Sequence, residues 1–182
     1  MTRDDALTIL KELGNSPNML KHAYACEAAM RALARRLEPD KEEAWGFVGL
    51  LHDADYEATD KSLERHTDKT SEKLELIGAP QDIIDAIRGH CDKEPRATMM
   101  AKAIYTVDEL TGLVVAAALV HPEKLTGLTV DSVARRFQEP SFAKGVNRDQ
   151  IKTCEDELGI PLHEFMGITL AAMQGESEAL GL

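Results

Sequence analysis

Apolar positions along the chain recur at three- and four-residue intervals, the period of helices that bury one face, and no stretch sustains the alternation of a half-buried strand. Ala6, Leu7, Leu10 and Leu13 predict a first helix over 3–13, closed by Gly14-Asn15. Ser16-Pro17 supplies a cap and a first-turn proline for a long second helix that ends at Leu37, before Pro39. Its inward stripe is Met19, Ala23, Cys26, Met30, Leu33 and Leu37. Asp40 is expected to cap a third helix through Ala44, Phe47, Val48 and Leu51, where Gly46 and Gly49 predict that another backbone passes close by. Leu63, Thr67, Thr70, Leu74 and Ile77 mark a fourth helix, and Ile83, Ile84, Ile87 and Cys91 give the fifth its apolar face. Thr98 to Val120 is apolar on nearly every side and predicts the most buried helix. Shorter helices follow over Val130–Phe137, Arg148–Leu158 and Leu162–Met173, with 175–182 expected to fray. No Asn-Gly or Asp-Gly hairpin signal occurs and only 4% of residues are aromatic, so the expectation is an all-α bundle forming a single domain over 1–182.

The polar exceptions inside these stripes carry the chemistry. His22 falls with Met19, Cys26 and Ala29, and His52 with Val48 and Leu51, directly before Asp53. His66 falls with Leu63 and Thr70, His90 with Ile83 and Ile87, and Asp108 with Ile104, Thr111 and Val115 in the most apolar helix. An unpaired ionised carboxylate in a low-dielectric interior costs several kcal/mol, and a cation held by His22, His52, Asp53 and Asp108 would compensate for it. Imidazole nitrogens mixed with carboxylate oxygens suit Mn, Fe, Ni, Co or Zn better than Mg or Ca. Glu27, five residues after His22, is a candidate to orient a ligand from behind, while Cys91 fits core packing. His121, at a helix end, and His163, on a surface face, are set aside.

A formal charge of −11 argues against general binding of nucleic-acid backbones or anionic membranes. Against that background Arg135-Arg136, Lys144 and Arg148 form a basic cluster and, with Lys69, are the candidates for holding a phosphate. Cys26, Cys91 and Cys154 are far apart and without a CxxC spacing, as reduced thiols are. The first residues are charged, with no apolar signal core, and the longest apolar run, Leu113 to Val120, is shorter than the ~20 residues of a membrane helix. A soluble cytoplasmic protein is expected, its oligomeric state unspecified.

The order His22, then His52-Asp53, then Asp108 resembles the HD-domain metal-dependent phosphohydrolase superfamily. Leu20-Lys21-His22-Ala23, Gly49-Leu50-Leu51-His52-Asp53 and the stretch from Ala103 to Gly112 look like the corresponding family segments. The resemblance covers about 16–122, leaving 123–182 as a C-terminal helical extension like that of small bacterial HD proteins. It implies one divalent ion on His22, His52, Asp53 and Asp108, and a second if His66 and His90 act as the extra histidines of two-metal members. It also implies hydrolysis of a phosphate ester of a nucleotide or other small phosphorylated metabolite by a metal-activated water, with Asp53 as both ligand and proton acceptor. Ala54-Asp55 stands where one subgroup has Ile-Gly, and no Gly-Tyr-Pro follows, which argues against a cyclic-dinucleotide phosphodiesterase. Two alternatives stay open: a non-catalytic metal- or nucleotide-binding sensor or scaffold with the same fold, and a structural bundle whose inward polar groups satisfy one another.

Overall fold

The computed structural model describes residues 1–182 as ten α-helices without a strand. Helix α1 (Arg3–Glu12) opens on a capping box in which Thr2 and Asp5 bond each other's backbone amides. Helix α2 (Pro17–Leu37) opens on Ser16, whose hydroxyl accepts from the Met19 amide, with Pro17 in the first turn. Pro39–Lys41 then forms a short 3-10 turn, closed by the Lys41 amide on the Glu38 carbonyl. Asp40 therefore lies inside that turn and caps nothing; helix α3 (Glu42–Leu51) begins behind Lys41 without a side-chain cap.

Helix α4 (Asp68–Leu76) is shorter than the apolar spacing implies. Leu63 is 75% exposed and Ile77 is also on the surface, so neither belongs to a buried stripe. His66 precedes the helix, and Thr67 adopts the left-handed conformation, φ 70°, with its amide donating to Asp55. Polar bonds to a buried carboxylate set this entry, and hydrophobic periodicity does not register them. Helices α5 (Gln81–Gly89), α6 (Met99–Val120), α7 (Val130–Phe137), α8 (Arg148–Leu158) and α9 (Leu162–Gly175) follow the spacing closely. The C-terminus is not frayed: α10 (Ser177–Leu180) packs on α2 and α9 and buries Leu180.

Forty-four buried apolar residues form one contiguous core. Helix α6 runs through its centre against α2, α5, α8 and α9. That helix is long and apolar enough to match a membrane span in length and composition, at a mean hydropathy of 1.7 over its most apolar window, and here its flanks are covered by the bundle. Helices α2 and α3 make the closest pairing because Gly49 has no side chain. A Cβ there would lie 2.6 Å from the Cys26 carbonyl oxygen and 2.8 Å from the Glu27 amide nitrogen. Gly46 differs from expectation, since the atoms it faces belong to the Arg31 guanidinium and not to a backbone. The tight α2·α3 contact sets the distance between His22 on one helix and His52 at the end of the other.

Candidate metal centre

His22 comes from the second turn of α2, His52 is the C-cap of α3, and Asp53 follows it into the turns that lead to His66. His90 caps the C-terminus of α5, and Asp108 lies midway along α6. Five separate elements thus aim one or two donors at a common point. His22 Nε2 lies 3.2 Å from His52 Nε2, 3.1 Å from Asp108 Oδ1 and 3.5 Å from Asp53 Oδ2. On the other side His66 Nε2 lies 3.0 Å from His90 Nε2, and both face Asp53 Oδ1, at 3.1 and 3.3 Å. Asp53 divides the cluster, presenting one oxygen to each half.

The protonation pattern shows what the cluster can hold. The Nδ1 hydrogens of three imidazoles are already committed: His52 donates to the Gly49 carbonyl at 2.9 Å, His90 to the Ile87 carbonyl, and His66 to Asp55 Oδ1 at 2.9 Å. Each Nε2 therefore presents a lone pair when the ring is neutral, and these lone pairs meet other nitrogens and carboxylates at close to 3 Å. No lysine or arginine pairs with Asp53 or Asp108. Such a set needs either added protons or a cation.

The pKa directions follow from the same crowding of imidazoles and carboxylates. Burial opposes charge on His66, but Asp53 and Asp55 outweigh it and raise its pKa to about 9. Burial likewise opposes the His22 imidazolium, and Cys26, Asp108 and Asp53 turn the balance upward. Burial would raise Asp53 and Asp108, yet the surrounding imidazoles hold both well below the usual carboxylate range. Donor types, spacing and committed Nδ1 hydrogens all fit divalent cations.

Asp55, which sequence spacing did not single out, is fully buried and satisfied on both oxygens: Oδ1 accepts from His66 Nδ1 and the Thr67 amide, Oδ2 from the Thr70 amide at 3.1 Å. The one trace of it in the sequence is an acid two residues beyond the His-Asp pair. Cys26, counted as a core residue, brings its Sγ to 3.8 Å from His22 Nε2. Glu27 turns away from the centre and is held by Arg3 and Arg31.

None of the proposed phosphate-binding cations pairs with Asp53 or Asp108. Lys69 is exposed and donates to the Ala58 carbonyl at 2.7 Å. Arg148 is spent on the carbonyls of Phe142, Ala143 and Val146, where it pins the turn before α8. Arg135 and Arg136 line a separate cavity of about 280 Å³ with Ala117, Val120 and His121, which lie nine to thirteen residues beyond Asp108 along α6 and its C-cap. At about 1.5 Å of rise per residue that places them roughly 13 Å or more from it. Lys144 is exposed on the turn that precedes α8.

A family model for the HD domain matches residues 19–118, more than half of the chain and the span that carries every residue of the cluster. The chain belongs to the HD-domain family. HD domains are generally metal-dependent phosphohydrolases, and this HD domain carries the His/Asp cluster that could hold the metal. No curated protein and no solved structure matches the chain.

Proposed function

We propose that this HD domain hydrolyses a phosphate ester of a nucleotide or another small phosphorylated metabolite. The observation that carries the reading is the division of Asp53 between two sets of imidazoles, Oδ2 toward His22 and His52, Oδ1 toward His66 and His90. His22, His52, Asp53 and Asp108 would hold one divalent ion, and Asp53, His66 and His90 a second, with Mn, Fe, Ni, Co or Zn the metals that suit these donors. A divalent ion bound there supplies Lewis acidity and lowers the pKa of water from about 15.7 toward roughly 7.

The protein's own contribution is orientation and access. His52, His66 and His90 are no more than 5% exposed in their side chains, whereas His22, Asp53 and Asp108 are 19–25% exposed. The substrate therefore approaches over the His22, Asp53 and Asp108 edge, with the other three imidazoles forming the floor. Asp53 is ionised at any physiological pH and is aimed at the point where the donors converge, so it is the acceptor for the proton of the attacking water. Its low basicity restricts it to a water whose acidity is already raised.

The test is phosphate release from a panel of small phosphate esters by the metal-loaded protein. Turnover that disappears with chelator, and in His52→Ala and Asp53→Ala, is the expected result. Full metal occupancy with no turnover on any ester would instead make the protein a metal-holding sensor or scaffold.

A further inference from the structure

We propose that the turn before α8, residues 141–147, is the wall of the substrate site that meets the organic part of the ester and so selects among substrates, an inference that rests on the proposed function above. The turn lies outside the matched HD span of 19–118, so the C-terminal extension supplies it. Gln150, Asn147 and Val146 fix it on α6. The Gln150 side chain donates to the Tyr105 carbonyl at 2.7 Å, and the Asn147 amide donates to Glu109 Oε2 at 2.8 Å. A Val146 methyl group faces Gly112, 3.9 Å from the place a Cβ would take.

Helix geometry puts these attachments beside a metal ligand. Tyr105, Glu109 and Gly112 are spaced by four and three residues and form one stripe along α6. Asp108 is three residues from Tyr105 and four from Gly112, so it borders that stripe, about 4.5 and 6 Å along the axis from its two ends. These four residues are the partly exposed positions of this stretch, whereas Ile104, Thr106, Val107, Leu110 and Thr111 are buried. On the other flank of Asp108 the Thr111 hydroxyl meets Cys26 of α2 at 3.3 Å. The exposed edge of Asp108 thus opens between α2 and the turn before α8. A phosphate held over His22, Asp53 and Asp108 leaves its organic part beside that turn.

The turn is built to keep its shape. The Arg148 guanidinium donates to the carbonyls of Phe142, Ala143 and Val146. Ala143 is held in the left-handed region at φ 43°, a conformation that a residue other than glycine keeps only where its surroundings impose it. Glu109 forms no ion pair, and its carboxylate accepts from the Asn147 amide. It is a positioning residue that acts through the turn.

The test compares steady-state hydrolysis by the full-length, metal-loaded protein of methyl phosphate, whose organic part is a single methyl group, with that of glycerol 3-phosphate, ribose 5-phosphate and adenosine 5′-monophosphate. The wild type is expected to prefer at least one larger ester to methyl phosphate. In Glu109→Ala that preference should fall by about tenfold or more, through KM more than through kcat, with metal content per chain retained. Glu109→Gln, whose side-chain oxygen still accepts from the Asn147 amide, should restore it. Hydrogen exchange of the wild type needs no variant to fold: the amides of 141–147 should be protected by the hydrolysis-resistant phosphonate analogue of the preferred ester and not by inorganic phosphate. Equal use of methyl phosphate and every larger ester, a preference that survives in Glu109→Ala, or exchange in the turn that the analogue leaves unaltered would each overturn the proposal while the hydrolase reading stands. No turnover of any ester would overturn the proposed function, and this inference with it.

Discussion

Asp55 Oδ1 sits 2.9 Å from His66 Nδ1, and neither side chain is more than 3% exposed. The carboxylate fixes the tautomer of His66 and turns Nε2 toward Asp53, the arrangement by which a buried acid orients a metal-binding histidine from behind. The same carboxylate accepts the Thr67 and Thr70 amides, so it also supports the left-handed turn into α4. Asp55→Asn keeps the size but replaces one acceptor oxygen with a donor, leaving at least one N–H without a partner. A destabilisation of about 1–3 kcal/mol is expected, with a loss of roughly 10–100-fold in affinity for the ion on His66 and His90. Calorimetric metal titration beside thermal melts checks both, and unaltered binding of two ions would show that Asp55 serves the turn alone.

The α2·α3 pairing offers a second handle. Gly49→Ala pushes a methyl group against the Cys26 and Glu27 backbone, which cannot move aside as a flexible side chain can. Overpacking of about 1–3 kcal/mol is expected, and the separation of His22 from His52 should grow with it. Gly112→Ala in α6 is the matched control, since its Cβ meets nothing closer than Val146 at 3.9 Å. There the helix should gain up to about 1 kcal/mol. Melting temperature and metal content measured on both variants separate a packing effect from the substitution as such.

Stoichiometry distinguishes the two halves of the cluster. His66→Ala and His90→Ala are expected to retain one ion of two, His22→Ala and Asp108→Ala to lose the other, and Asp53→Ala to lose both because each half uses one of its oxygens. Elemental analysis per chain reads the result. An Asp53→Ala protein that keeps two ions would remove the shared-carboxylate reading. Arg135→Ala and Arg136→Ala should leave phosphate release unchanged, because their cavity lies at the C-terminal end of α6, roughly 13 Å or more along the helix from Asp108.

How far the sequence foretold this arrangement depends on which force set each part. Helices α5 to α9 are fixed by burial of an apolar face, which leaves a periodic record, and the inward placement of His22, His52 and Asp108 could be read as exceptions to that record. The entry to α4 is fixed by three bonds to Asp55, so spacing assigns Leu63 to a helix that begins only at Asp68. In the sequence Arg135, Arg136, Lys144 and Arg148 are grouped by charge alone, and Lys69 stands out only by its place three residues after His66. Charge along the chain carries no record of where a long side chain ends, and Arg148 ends on backbone carbonyls. Cys26 matched the apolar period and was counted as core, although the same position on α2 brings it beside His22.

The protonation of His66 makes stability and metal uptake respond to pH in opposite directions. Burial opposes its charge, Asp53 and Asp55 overcome this, and its pKa reaches about 9 in the folded, metal-free protein, against about 6.5 for a free imidazole. A pKa raised by folding means that the folded state binds the proton more tightly. The resulting stabilisation is complete below pH ~6.5 and is lost as pH rises through about 9. The chelator-treated protein should therefore melt at progressively lower temperature from pH ~6.5 to ~9, with His22, also shifted upward, acting in the same sense. Metal binding requires a neutral imidazole, so an incoming ion displaces the proton, and affinity for the ion on His66 and His90 should rise by up to roughly tenfold per pH unit before levelling above about 9. Scanning calorimetry with and without manganese at several pH values tests this: the stabilisation produced by the ion should widen as pH increases, and His66→Gln should flatten the metal-free profile. A metal-free melting temperature that instead climbs over this interval would mean that His66 is neutral in the folded protein and that the carboxylates beside it are compensated in another way.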